Sequence, residues 1–215
     1  NNFVKLSTNI YYQNYKNQLV LTGAIDDVGQ AIRATSGSSY RLGVEIDADI
    51  RLNEQFSLRP TVAISDNRNR DFTSIIAGNL IDLGNTPISN SSDFIAGNAL
   101  VYQPFNNLQV SFLTKYVGEQ YLGNLGGVVS NLEKLEDYAT ADFNIVYEIK
   151  MNKIFKSVVL TGLVNNVFNK RYVDRGFYFT FEDDFTTPGV TTTIDGAGFY
   201  PQATRNFLVG ATFKF

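Results

Sequence analysis

The chain has no cysteine, no histidine and no tryptophan, and only one methionine and five prolines in 215 residues. Without cysteine there is no disulfide, no thiolate nucleophile and no thiolate metal site, which suits an oxidising compartment. Without histidine, Ser-His and Asp-His hydrolytic pairs and His-ligated zinc are excluded, so the usual equipment of a small enzyme is missing. Positive charge is also short: 18 Lys and Arg stand against 21 Asp and Glu. The basic residues are scattered, which removes nucleic acid as a partner. No apolar run approaches the roughly 20 residues of a membrane helix. Helical periodicity is not sustained either, with only a brief exception at Leu132–Leu135 in a loop.

What the chain does have is Phe and Tyr, 17 and 12 residues, at a mean hydropathy of only -0.10. Strands with one face in lipid and the other in water reconcile the two. At the C-terminal end, Phe207, Val209, Ala211, Phe213 and Phe215 share one face, and Asn206, Leu208, Gly210, Thr212 and Lys214 the other. From Tyr40 to Leu52 the even positions are apolar and the odd ones are Arg41, Gly43, Glu45, Asp47, Asp49 and Arg51. Soluble strands usually run about 5–6 residues; a tilted membrane strand needs about 9–11. Val4–Asn14, Phe56–Asp66, Leu108–Val117 and Ala139–Ile149 alternate in the same way, and Gln18–Gly23, Phe94–Tyr102 and Ser157–Asn169 do so more weakly. Pro60 falls inside one of these strands, where a local bulge would accommodate it.

The connections alternate between two kinds. Asn14–Asn17, Asn53–Gln55, Pro104–Asn107 and Asn152–Lys156 are short turns, whereas Ala24–Ser39, Asn67–Asp93, Gly118–Asp137 and Lys170–Phe199 are long and rich in Gly, Asn, Ser and Asp. Short periplasmic turns and long extracellular loops are the habit of outer-membrane barrels. The fold class is therefore all-β, an antiparallel transmembrane barrel of about nine strands. That count puts Asn1 outside and Phe215 on the periplasmic side. An odd count implies that further strands precede Asn1, because open edges leave backbone groups unpaired in lipid. No leader is seen, since Phe3–Gln13 already reads as strand; it was cleaved or the start lies elsewhere.

Three passages resemble the C-terminal part of TonB-dependent outer-membrane receptors: Tyr40–Ile46 with the following strand into Arg68–Phe72, Leu163–Val173, and Tyr200–Phe207 through Phe215. The resemblance covers essentially the whole chain. It implies residues 1–215 as the C-terminal portion of a plugged barrel of about 22 strands. It also implies a bacterial outer-membrane location and energy-coupled import of a scarce ligand, an iron-siderophore complex first, with cobalamin or glycans as others. Implied partners are outer-membrane lipid, an N-terminal plug and the remaining strands, the TonB complex and the barrel-assembly machinery. Neither plug nor TonB-contacting segment is present in these residues. No cofactor is expected, and no enzymatic activity.

The sites follow from this reading. Phe215, with Phe213, stands where the family carries its assembly signal; an ordinary girdle aromatic is the other reading. Tyr12, Tyr102 and Tyr147 near turns, and Tyr40, Tyr116, Tyr138, Tyr172 and Tyr200 near loops, fit two interfacial belts. From Ala139 to Tyr147 the height is roughly 20 Å, close to a membrane band of about 25 Å. The row Arg41, Glu45, Asp47, Asp49 and Arg51 is read as wall packing against a plug. Ligand recognition is assigned to the outer mouth: Arg68 and Arg70, Tyr121 and Asn124, and Arg175, Phe177, Tyr178, Phe179 and Phe181, since Arg with aromatics suits an anionic aromatic chelate. Loop packing is the alternative for each. Glu182-Asp183-Asp184 with Asp195 follows no EF-hand pattern and is read as a solvated acidic stretch. Gly123-Asn124-Leu125-Gly126-Gly127 lacks the residues of a phosphate loop and is read as a turn. A second function stands beside import: a structural barrel subunit or scaffold whose loops hold other outer-membrane proteins.

Overall fold

The computed structural model describes residues 3–26, 28–151 and 154–215, with Ser36 described for its backbone alone. In order, the elements are β1 (Val4–Ile25), β2 (Ala31–Arg51), β3 (Phe56–Arg70), β4 (Thr73–Ile76), β5 (Asn79–Asp82), β6 (Thr86–Pro87), β7 (Phe94–Phe105), β8 (Leu108–Val117), β9 (Gln120–Tyr121) and β10 (Lys134–Leu135). They continue with β11 (Tyr138–Lys150), β12 (Ser157–Asn165), β13 (Val173–Asp183), β14 (Thr192–Pro201) and β15 (Asn206–Lys214), and one 3-10 turn, Asn131–Glu133, precedes β10.

Eight long strands form a continuous antiparallel wall in the order β1-β2-β3-β7-β8-β11-β12-β15. Each is joined to its neighbour in sequence, as up-and-down strands must be when every backbone group has to find a partner inside the wall. The registers carry the period-two pattern across strands. Ile10, Val44 and Ile64 lie side by side, as do Thr8, Ile46, Val62 and Ala96, and on the other rim Val158 meets Phe213. These residues define an outer face. Leu6, Ile10, Phe207 and Val209 on it are all more than half exposed, the inversion expected where lipid replaces a core. On the inner face Tyr11 lies across Gly43, where an added Cβ would meet the ring oxygen at 2.5 Å. The missing side chain lets the ring cover the strand.

The first hairpin departs from expectation. Asn14–Asn17 is no turn; β1 runs through it for 22 residues, paired with β2 from Val4↔Ile50 to Ile25↔Ala31. Asn17 takes φ 54°, and left-handed conformations are ones Asn tolerates. Opposite it, Gly37 falls between the pairs Lys16↔Ser38 and Gln18↔Ser36. The faces exchange at that point: below it the even residues of β1 point out, while above it Val20 enters the core and the Gln18 side chain accepts a hydrogen bond from buried Ser39 at 2.6 Å. A turn-like tetrapeptide thus became a kink. The wall has eight strands where about nine were expected, and Phe3 bonds Arg51 beside the 52–55 turn. The first strand therefore starts at the short-turn end, not outside; Asn1 itself, and Asn152 with Lys153 of the last short turn, lie outside the described residues. The odd-count argument for preceding strands falls with it.

Pro60 produces no bulge. The ladder to β2 is interrupted between Asp47↔Thr61 and Ile50↔Leu58 without a change of register, while Pro60↔Asn98 holds on the other side. Arg59 and Asp49 bridge the gap at 3.8 Å.

Candidate functional site

The long connections fold into a crown over the inner face at one end of the wall. Its apolar centre is Val20, Phe72, Leu122, Leu125, Leu135 and Tyr178. Connections of this length bury backbone that no ladder satisfies, so side chains must supply partners. Asn69, fully buried on β3, donates to Thr86, to the Pro87 carbonyl and to Asn124. Asn124 in turn accepts from the Ser89 amide at 3.0 Å and donates to the Leu21 carbonyl at 2.9 Å, tying three segments to β1.

Glu133 is fully buried at the end of the 3-10 turn, which Ser130 caps by accepting from the Leu132 amide at 3.1 Å. Its carboxylate accepts from the amides of Leu125 (2.8 Å) and Gly127 (2.6 Å). Gly126 and Gly127 have φ 72° and 76°, the backbone of an anion-cradling nest. The Gly-rich loop is a turn, as expected, and the anion it holds is the chain's own. Burial raises the Glu133 pKa, and the backbone donors only partly offset this.

The β13–β14 hairpin carries the aromatic part of the crown. On β13, Arg175, Phe177 and Phe179 alternate with Gly176, Tyr178 and Thr180, and of these Tyr178 and Thr180 are buried. Phe177 pairs with Gly198 and Phe179 with Gly196. An added Cβ at Gly198 would collide with the Phe177 ring, and one at Gly196 would lie 2.6 Å from Phe179. The two glycines therefore let the rings lie flat across β14. The rings are near-parallel, 22° apart with centroids at 6.3 Å, and Tyr200 sits 6.2 Å from Phe177. Tyr200 is also the cross-strand partner of Arg175. Between this platform and the tip of the β1–β2 hairpin is a cavity of about 580 Å³ lined by Leu21, Ile25, Asn90, Leu122, Phe177, Tyr178, Phe179 and Tyr200, among others. The volume is that of a small-molecule site. It offers stacking surfaces, one exposed guanidinium beside them and few fixed polar groups, and so is equipped to hold a ligand.

The expected site residues separate. Phe177, Tyr178 and Phe179 line the cavity; Arg175 does not, but is 68% exposed, 3.3 Å from Asp174 and the cross-strand partner of Tyr200, which does. Tyr178 faces the core, where burial first, then the charges of Asp195 and Glu133, raise its pKa. Asn124 is a fastening of the crown and is 1% exposed. Tyr121 pairs with Lys134 in β9–β10, and its carbonyl accepts from Asn90 at 2.7 Å. Arg68 and Arg70 are not in the mouth, because the register Tyr40↔Arg68 and Ser38↔Arg70 puts them on the outer face. The acidic group is dispersed rather than solvated as one stretch. Glu182 holds the Gly78 amide at 2.8 Å and the Thr193 hydroxyl at 2.5 Å, Asp183 takes the amides of Phe185 and Thr186, and Asp195 accepts from Ser130. Tyr12 moves to the loop-side belt with Tyr40, 6.3 Å away, while Tyr138 is buried on the inner face and stacks on Tyr172. Phe213 and Phe215 cluster with Phe155 at 5.1 and 4.9 Å beside the last short turn. Glu133, Asn69 and the Gly196/Gly198 pair were missed. Gly at every second position opposite alternating Phe was the one available signal.

Residues 1–167 match the family described as TonB dependent receptor-like, beta-barrel. Among solved structures, the siderophore receptor PiuA from Acinetobacter baumannii matches with a TM-score of 0.64 at 18% identity, over 100% of this chain and 26% of that one. The ferric yersiniabactin uptake receptor FyuA from Yersinia pestis matches at 0.63 and 16%, over 98% and 27%. The copper transporter OprC matches at 0.66 and 15%, over 100% and 28%. At these identities the likeness is one of fold, and this chain spans about a quarter of each receptor's length. No curated protein sequence matches.

Proposed function

This chain belongs to the TonB-dependent receptor-like β-barrel family, and from that premise we propose that it is the C-terminal wall and crown of an outer-membrane receptor importing a scarce ligand, an iron chelate of siderophore type. The family is one of transport receptors rather than an enzyme class. A barrel wall completed by further strands, an inner plug and coupling to the TonB complex belong to this reading. So does recognition of Phe213 and Phe215 by the barrel-assembly machinery.

The observation that carries the proposal is the platform of Phe177 and Phe179 laid across Gly198 and Gly196, with Arg175 and Tyr200 beside it, at the edge of the crown cavity. Flat rings stack on aromatic chelating groups, and a guanidinium compensates the negative charge such complexes carry. The test is binding of a ferric tris-catecholate to the whole receptor, read by calorimetry. Phe177→Ala with Phe179→Ala lowers affinity about tenfold or more. Gly198→Ala, which leaves every ring in place chemically but displaces one, lowers it less. Unchanged affinity in both variants would remove the aromatic chelate from the proposal.

A further inference from the structure

Arg68 and Arg70 were expected to meet a ligand in the mouth, but the register turns both outward. On β3 the outer-face residues after Ile64 are Asp66, Arg68 and Arg70. At about 2.5 Å of height per residue in a tilted strand, these follow the last apolar position by roughly 5, 10 and 15 Å. The headgroup layer above a hydrocarbon core is about 5–8 Å thick. The Arg70 side chain reaches back into it. Its guanidinium lies 4.7 Å from the centre of the Tyr40 ring and donates to the Tyr12 hydroxyl at 3.3 Å. Both tyrosines stand on the same face, at the top of the apolar stripe formed by Leu6, Ile10, Leu42, Val44 and Ile64.

Charge separates the two arginines. Arg68 is held between Asp66 at 3.0 Å and Asp93 at 2.8 Å. Among the described residues, neither Arg70 nor Lys16 has a carboxylate within ion-pairing distance. Lys16 and Arg70 are joined in register through Ser38, which pairs with both, so the two cations project from one row. Two uncompensated cations over an aromatic belt, continuous with a lipid-facing stripe, match a phosphate that has acyl chains below it. A soluble anion has no use for the stripe.

We propose that Arg70 and Lys16, with Tyr12 and Tyr40, bind the headgroup phosphate of an anionic lipid in the outer leaflet. The proposal rests on the membrane-spanning reading above. The test uses the whole receptor in nanodiscs of phosphatidylcholine with a minor share of phosphatidylglycerol, and native mass spectrometry to count the lipids that remain bound on release. The unaltered protein retains phosphatidylglycerol preferentially, and Arg70→Gln with Lys16→Gln reduces that preference by roughly thirtyfold. The inner-face change Lys115→Gln leaves it intact, which separates this patch from a general loss of positive charge. Equal retention by the double variant overturns the site, as does displacement of the lipid by excess inorganic phosphate, which would make it a soluble-anion site. Failure of the protein to enter bilayers overturns the membrane reading itself, whereas entry without lipid preference overturns the site alone.

Discussion

The wall and the crown solve the same problem, unpaired backbone, in opposite ways. Between the two edge strands of the wall, β1 and β15, the ladder pairs the backbone, and side chains are free to follow solvent: apolar outward, polar inward. In the crown, side chains do the satisfying, and polar residues such as Asn69, Asn124 and Glu133 are the buried ones. The wall therefore tolerates many substitutions that keep period and polarity, whereas the crown depends on particular atoms. That difference sets what a mutation in each region does.

The largest effect is expected where the wall's rule is broken at mid-height. Val62 on the outer face lies between Ile46 and Ala96, so Val62→Lys places a charge in lipid and costs about 2–4 kcal/mol. Its inner-face neighbour along the strand, changed as Thr61→Lys, costs much less. Denaturant titration of the receptor folded into vesicles reads both, and equal costs would show that the two faces are not differently solvated.

In the crown, Glu133→Ala leaves the amides of Leu125 and Gly127 buried without acceptors, at about 2–3 kcal/mol. The loss is local: hydrogen exchange of those amides accelerates while the wall strands keep their protection. A pH dependence accompanies it. The folded pKa of Glu133 is raised above 4.5, so between that value and the raised one the folded crown keeps a proton that an opened loop has released. Its protection consequently declines as pH rises through the window and is level above it. Glu133→Gln removes the slope, and a slope persisting in that variant assigns it to another group.

The smallest effect concerns the kink where wall becomes crown. Asn17→Val forces a branched residue to φ 54° and costs about 1–2 kcal/mol, whereas Asn17→Gly is close to neutral. Thermal unfolding of the two variants ranks them, and the reverse order would mean that Asn17 acts through its side chain.

The wall was legible because its two solvents write a period of two into the chain, and Phe207 to Phe215 or Tyr40 to Leu52 need nothing else to be assigned. Residues 14–17 misled because Asn-Tyr-Lys-Asn has turn composition, and composition does not distinguish a reversal from a single left-handed residue inside a long strand. The mouth residues were half legible. Phe177 and Phe179, expected at the mouth, line the crown cavity, while Arg68 and Arg70 face outward because that part of the loop is strand, in which parity decides direction. Asn124, expected at the mouth, is buried and fastens the crown.

The sequence by itself determined the wall from Leu42 onward: its period of two and its outward apolar face. Those are local properties, set by backbone geometry and by which solvent each side chain meets. Only the tertiary structure decided which loop atoms meet: Glu133 with the amides of Leu125 and Gly127, Glu182 with Gly78, Phe177 over Gly198, and Arg70 over Tyr40 on the outer rim. These partners lie between 6 and 104 residues apart, and chemically alike candidates abound. Chain connectivity and packing choose among them, and no periodicity records the choice.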